Sequence, residues 1–267
     1  MFSDTIIVIR GAGELASAAA SSLQHCGFPV ILTELPVPLA IRRTVTFSDA
    51  MLSGTATVEG LRAEYCQPAG IGAIRNRGAL PLITDDPAII ASLRPWILVD
   101  ARMQKQQQAD FAVGKAYTVG LGPGFTAGTN CHAVIETKRG HDLGRIIYEG
   151  SAAPDTGIPG DLGGETVRRL LRAREAGRLE WRVDFGNLVG AGELLGTINY
   201  NHRIEAPIAG VIRGLISPQV SITKGLKIGD IDPRGKAVDV HRISDKSRAV
   251  GRAVLEAVLE YVNFTRS

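Results

Sequence analysis

Near its start the chain runs Ile6-Ile7-Val8-Ile9 straight into Arg10-Gly11-Ala12-Gly13-Glu14-Leu15-Ala16, and a second apolar run, Val30-Ile31-Leu32, ends at Thr33-Glu34. Continuous apolar strands of this kind are buried on both faces, and the glycines between them mark a turn into a helix. Gly11 lets the chain turn sharply, and Gly13 lets a ligand approach the backbone. Ala16 keeps helix and strand close. Ala12, Glu14 and Leu15 complete the turn, where the helix N-terminus offers amides and a positive dipole end to a phosphate. Glu34 is placed to meet a ribose hydroxyl.

The order strand, glycine turn, helix, strand, acid is that of a Rossmann unit, and it predicts a phosphate-bearing cofactor at the turn. The same turn also occurs without a ligand in doubly wound folds. Glu34 favours an unphosphorylated ribose. Arg42 and Arg43 follow it and either hold an anion or are simply solvated.

Residues 61–66, 80–84 and 96–99 read as further strands, with helices over 69–77 and 87–93. The expected α/β architecture is therefore a Rossmann-like parallel sheet domain over residues 1–145, covered on both faces. Ligands of open α/β sheets sit outside the carboxyl ends of the strands, which places Asp100, Arg102 and Lys105 beside a site. Asp100 serves equally well as the cap of a helix over 103–111. In the glycine-rich loop 117–128, Gly122 and Gly124 either open the backbone to an anion or let strands change direction. His132 and His141 are the histidines placed to carry a proton, with Arg139 nearby. No metal-ligand spacing surrounds them, so no metal is expected.

A second glycine-rich loop, 156–164, leads into an expected helix over 165–176, within a helical connection spanning 146–182. Its arginines, Arg168, Arg169, Arg172 and Arg174, read as a solvated face. From 183 to 240 the chain changes to short apolar strands. The segment Val189-Gly190-Ala191-Gly192-Glu193-Leu194-Leu195-Gly196-Thr197-Ile198 is echoed by Ile222-Thr223-Lys224-Gly225-Leu226-Lys227-Ile228-Gly229-Asp230-Ile231, around Ala206-Pro207-Ile208-Ala209-Gly210. This order resembles the barrel-sandwich hybrid of biotinyl and lipoyl carriers, a small all-β module. No lysine stands at Asn199-Tyr200-Asn201, where a carrier lysine belongs, so no swinging arm is expected. Asp230, Asp232 and Arg234 read as a surface ion-pair group of little energetic weight. Residues 241–267 form a helix whose apolar positions Val250, Val254, Ala257, Val258 and Tyr261 pack back on the first domain.

The bulk properties exclude several classes. A net charge of +3 over 267 residues is too mild for a dedicated nucleic-acid binder. No apolar run reaches the roughly 18 residues of a membrane span, and no basic region precedes an apolar stretch as in a signal peptide. Cys26, Cys66 and Cys131 include no CxxC and read as inert thiols of a reducing cytoplasm. Cys131 and His132 are neighbours on a strand and point to opposite faces, so they do not form a thiolate–imidazole pair.

Several segments together resemble the YqeB family of the selenium-dependent molybdenum hydroxylase system. They are Ile9-Arg10-Gly11-Ala12-Gly13-Glu14-Leu15-Ala16, Ala40-Ile41-Arg42-Arg43-Thr44-Val45, Val99-Asp100-Ala101-Arg102, Gly120-Leu121-Gly122-Pro123-Gly124-Phe125, 132–141 and Gly229-Asp230-Ile231-Asp232-Pro233-Arg234. The nucleotide-binding half is also similar, more distantly, to XdhC-type accessory proteins. The resemblance implies a cytoplasmic accessory protein that matures a xanthine-dehydrogenase-like enzyme, with a molybdenum hydroxylase subunit as partner; a homo-oligomer is compatible with it. The implied cofactor is the molybdenum cofactor or an NAD-like dinucleotide. Gly11, Gly13 and Glu34 would hold its phosphate and sugar, and Asp100, Arg102, His132, Arg139 and His141 would line the crevice. Two other expectations stand beside this one: an NAD-dependent oxidoreductase using His132 or His141 as general acid/base, and a non-catalytic scaffold that docks the target enzyme.

Overall fold

The computed structural model describes residues 2, 5–104, 106, 115–157 and 160–266. The chain forms two compact units. The first comprises Met1–Pro36, Thr46–Asp155 and Ile243–Ser267, and the second Val37–Val45 and Thr156–Arg242.

In the first unit the chain order is β1 (Ile7–Arg10), α1 (Glu14–His25), β2 (Val30–Glu34), α2 (Ala50–Ser53), β3 (Thr55–Val58), β4 (Leu61–Tyr65), α3 (Ile71–Asn76), β5 (Leu80–Thr84), α4 (Pro87–Ser92) and β6 (Ile97–Asp100). There follow β7 (Tyr117–Leu121), β8 (Thr126–Ala127), β9 (Ala133–Ile135), β10 (Ile146–Ile147) and β11 (Gly150–Ser151). A nine-stranded sheet has the order β10-β9-β7-β6-β1-β2-β5-β4-β3. Ile7, Val8 and Ile9 are fully buried, as a strand covered on both faces requires.

The second unit holds β12 (Leu170–Arg172), β13 (Leu179–Trp181), β14 (Leu188–Val189), β15 (Leu194–Ile198), β16 (His202–Glu205), β17 (Gly210–Leu215) and β18 (Lys227–Asp232). Its core gathers Leu195, Ile198, Ile212, Leu215, Ile228 and Ile231, joined by Ile41. The Leu215 amide donates to the Ile41 carbonyl at 2.8 Å, which ties the segment 37–45 into this unit. The last helix, α5 (Asp245–Arg266), belongs to the first unit and packs on α1.

These sheets correct the expected pairing of a Rossmann-like parallel sheet with a barrel-sandwich. The large sheet is mixed: β3 runs antiparallel to β4, and β10 antiparallel to β9. The β3–β4 reversal has a local cause. Glu59 and Gly60 both take left-handed backbone, at φ 47° and 85°, which is the two-residue turn of a hairpin. The second unit forms two separate antiparallel sheets, β12-β18-β17-β14 and β13-β15-β16. The two echoing segments place β15 in one and β18 in the other, with different neighbours, so they are not equivalent halves of one module.

The expected helix over 165–176 is also corrected. Residues 170–172 pair with β18 as a strand, and no helix occurs among the described residues of 146–182. Sheet pairing of Leu170 and Leu171 overrides the helical propensity of the surrounding arginines. Residues 40–48 contain a single 3-10 turn and the start of a second, at Arg43–Val45 and Phe47–Asp49. Lys105, most of the helix expected over 103–111, and Ile158-Pro159 of the second glycine loop lie outside the described residues.

Candidate functional site

The carboxyl ends of β1, β2, β5 and β6 bring together a turn and a set of charges. Gly11 adopts φ 94°, and a Cβ there would press on the Ala101 carbonyl oxygen at 3.2 Å, so the turn needs glycine at this point. The Gly11 amide donates to the Thr33 carbonyl at 2.9 Å. The Ala12 amide donates to Glu34 Oε2 at 2.8 Å, and the Leu35 amide to Glu34 Oε1 at 2.8 Å. Each Glu34 oxygen keeps acceptor capacity for a further donor. Burial raises the Glu34 carboxyl above its usual range, the two amide bonds oppose that, and the nearby Asp85 charge adds to it.

Gly13 is the N-cap of α1, in extended backbone at φ −67° and ψ −176°, with no side-chain cap. A Cβ built on it would meet nothing within 4 Å. The amides that precede the first helical bond, Ser17 N–H to Gly13 O at 2.8 Å, lie around this open position.

Behind the turn stands a buried ion-pair chain. Arg10, 2% exposed, donates to Asp85 through Nε at 3.0 Å and Nη2 at 2.8 Å. Thr33 Oγ1 donates to Asp85 Oδ1 at 2.5 Å. Arg102 grips Asp100, with Nη2 at 2.5 Å from Oδ2, and its Nη1 lies 3.9 Å from Asp85 Oδ2. Burial alone would push the Asp85 carboxyl up. The hydrogen bonds from Arg10 and Thr33 and the charges of Arg10 and Arg102 outweigh it and hold the group below its ordinary value. The Arg102 amide also donates to Asp100 Oδ1 at 3.1 Å, and Met103 follows with φ 57°. Within the described residues 101–104, which form no helical turn, Asp100 therefore binds its own loop.

The other expected site residues are dispersed. His132 Nδ1 accepts the Thr118 amide at 3.0 Å, which puts the ring at the start of β7, by the Tyr117 ring at 5.1 Å. Asp100 pairs with Gly120, further along β7, so His132 lies towards the opposite end of the strand from the turn. Cys131 is buried while His132 is exposed, and burial pushes the Cys131 thiol up to about 11. His141 is exposed, and Arg139 makes a two-point contact with Asp245 at 2.5 and 2.7 Å. Glu14 Oε1 accepts the Ser244 amide at 2.9 Å, and Leu15 is half-buried.

Cβ atoms on Gly122 and Gly124 would strike Thr137 Oγ1 at 2.5 Å and the Gln106 carbonyl oxygen at 2.6 Å, so packing accounts for both glycines. Arg42 and Arg43 belong to the second unit. There Arg42 Nη2 donates to the Arg242 carbonyl at 3.2 Å, and the Arg43 guanidinium lies 5.9 Å from the centre of the Phe185 ring. Among the described residues no three His, Cys, Asp or Glu side chains assemble as metal ligands.

Asp85 and Thr33 are the site residues that sequence reasoning passed over. Asp85 directly follows the apolar strand Leu80-Pro81-Leu82-Ile83-Thr84, and the rule that singled out Asp100 at a strand's carboxyl end applies to it equally.

Fold and site together describe an α/β unit whose mixed sheet carries a glycine turn and a buried ion-pair chain at its carboxyl edge, joined to an all-β unit. Over 256 residues the chain is 44% identical to the uncharacterized protein YqeB of Escherichia coli (strain K12), a match that covers 95% of this chain and 47% of that protein. The chain spans about half the length of the curated relative it matches. No family model matches the chain. Solved structures with some likeness include a succinylglutamate desuccinylase/aspartoacylase from Rhodobacter sphaeroides, 13% identical over 86% of each chain with TM-score 0.27. Another is the ectoine utilization protein EutE (DoeB) from Ruegeria pomeroyi, 14% identical over 86% of each chain with TM-score 0.25. Likenesses this slight carry no argument about fold or activity. No helix among the described residues is long and apolar enough to cross a membrane.

Proposed function

We infer that the chain binds a phosphate-bearing cofactor at Gly11-Ala12-Gly13, and that it serves as an accessory protein in maturing a selenium-dependent molybdenum hydroxylase. The observation that carries the binding site is Gly13. Its backbone is one that any residue adopts, and nothing lies where its Cβ would be. Serine, threonine, aspartate or asparagine would cap α1 better. Neither strain nor packing calls for glycine here, whereas a ligand that must approach the amides of the turn does. A phosphate would lie against those amides and the positive end of α1. The remaining lone pairs of Glu34 would take sugar or ring hydroxyls. The chain Arg10–Asp85–Arg102–Asp100 holds the strand ends that frame the turn.

The maturation role rests on the motif resemblance to the hydroxylase system and on the similarity to YqeB, whose name records no activity. The oxidoreductase reading has no observation of its own, because His132 lies towards the far end of β7 and His141 is exposed. The test is mass spectrometry of small molecules released by denaturing the anaerobically purified protein. A molybdopterin species supports the proposal, and an adenine dinucleotide redirects it to redox chemistry. Gly13→Asp should abolish the bound species, since its carboxylate would occupy the phosphate position. Retention of the species in that variant would remove the site from Gly13.

A further inference from the structure

The second unit carries a charged cluster that the glycine turn does not use. Lys227, Asp230 and Asp232 lie on β18, Arg213 on the neighbouring β17, and Arg169 just ahead of β12 on the other side. The group is buried, not superficial as its sequence suggests: Asp230 is 3% exposed and Asp232 0%. Asp232 receives the Arg234 guanidinium through two bonds, at 2.9 and 2.7 Å, and the Arg234 amide at 3.2 Å. That leaves Asp230 to serve the other three cations. Arg169 Nη1 donates to its Oδ1, and Arg213 Nη1 reaches its Oδ2 at 3.4 Å.

One carboxylate cannot satisfy these three groups. Arg169 is 7% exposed; its Nη2 donates to the Gly160 carbonyl at 3.2 Å, but its Nε has no hydrogen-bond partner among the described residues. Arg213 adds to its one long hydrogen bond only a 3.7 Å approach to Asp232. The Lys227 ammonium, half-buried, has neither a hydrogen bond nor an ion pair among the described residues. Buried polar groups are ordinarily paired, and buried cations left short of acceptors point to a missing anion.

We propose that Arg169, Arg213 and Lys227 form a binding site for a phosphate group, as the free ion or as a phosphomonoester. The donor set matches that chemistry. Guanidinium forks engage two oxygens of a tetrahedral anion, and an ammonium supplies a compact point charge to a third. Burial lowers the Lys227 pKa, Arg169, Arg172 and Arg213 lower it further, and Asp230 alone opposes them. A bound dianion would reverse that balance.

The experiment follows acylation of the Lys227 amine in the full chain, resolved by peptide mass spectrometry, with and without inorganic phosphate at constant ionic strength. Lys224, whose side chain is 74% exposed, is the internal control. Saturating phosphate should slow labelling of Lys227 by about tenfold or more and leave Lys224 unchanged. Glycerol 3-phosphate run in parallel separates the sources: stronger protection than by phosphate marks the site as one for an esterified group. The thermal midpoint of the wild type should rise with phosphate, and that of Lys227→Met should not. Equal labelling of Lys227 in both conditions overturns the site, as does the same phosphate-induced rise in Lys227→Met. If that variant does not fold, the wild-type labelling decides alone. The midpoints are compared in a Gly13→Asp background, so that phosphate held at the glycine turn contributes to neither and the two sites stand or fall separately.

Discussion

Arg10 and Asp85 are joined by two parallel hydrogen bonds, at 3.0 and 2.8 Å, across the intervening strand β2. Thr33, on β2 itself, closes the gap by donating to the same carboxylate. Removing one partner strands the other as a buried charge, so Asp85→Ala should cost about 3–5 kcal/mol of stability. Arg10→Met combined with Asp85→Leu should recover much of that loss, because neither charge then remains. Urea denaturation of the single and double variants reads both. A loss under about 1 kcal/mol for the single variant would show that the pair is solvated.

Glu34 and Asp85, both at the carboxyl edge of the sheet, should respond to pH in opposite senses. The folded pKa of Asp85 lies below its unfolded value, so its stabilisation is complete above about pH 4 and is lost as pH falls through the folded value. The folded pKa of Glu34 lies above its unfolded value. Its contribution is complete below about pH 4 and disappears as pH rises through the folded value. Denaturation at stepped pH should therefore show a shallower acid slope in Asp85→Asn. Glu34→Gln should lose the decline that the wild type shows on the other side. Matching slopes in wild type and both variants would contradict the assigned environments.

What was legible in the sequence follows from local physics. The strand Ile7–Arg10, the turn after it and the acid of β2 declare themselves through apolar continuity and glycine placement, and so does α5 through its helical spacing. The antiparallel edge β3 was legible in principle from Glu59-Gly60, but one glycine beside one acid is a weak hairpin signal. β12 was not legible, because its pairing with Gly229 and Asp230 of β18 is a contact about 60 residues away that no local pattern encodes. The same applies to the site. Asp100 and Arg102 are two residues apart and pair locally, whereas Arg10 and Asp85 meet only after the sheet is assembled. The place of His132 beside the start of β7 is likewise fixed only by the assembled sheet, where its ring accepts the Thr118 amide.

The two glycines of the turn should separate structural from functional need. Gly11→Ala places a side chain in left-handed backbone against Ala101 and should destabilise the protein by about 1–2 kcal/mol. Gly13→Ser meets no atom and supplies an N-cap hydroxyl, so the ligand-free protein should be unchanged or more stable by some tenths of a kcal/mol. Yet that hydroxyl would stand where the cofactor phosphate approaches, and the amount of cofactor retained on purification should fall. Thermal unfolding of ligand-free protein and the cofactor content of each variant check the pair. A serine variant that is stable and fully loaded would leave Gly13 without a role in binding.

Gly251 sets two effects against each other. It lies inside α5, where replacing glycine by alanine ordinarily gains about 1 kcal/mol by stiffening the unfolded chain and favouring helix. Here a Cβ would come within 2.7 Å of the Ala18 carbonyl carbon and oxygen and 2.9 Å of the Ala19 nitrogen, all backbone of α1. A flexible side chain could swing aside, but helix backbone cannot. α5 would have to move off α1, at a cost of about 1–3 kcal/mol for overpacking. The packing loss meets or exceeds the helical gain, so Gly251→Ala should be neutral to destabilising by up to about 2 kcal/mol. Gly→Ala at the exposed loop position Gly190, whose Cβ would meet nothing closer than Glu193 Oε2 at 3.9 Å, should cost little by comparison. Chemical denaturation of the two variants side by side decides it, since a stabilised Gly251→Ala would mean that α5 does not lie against α1 at this point.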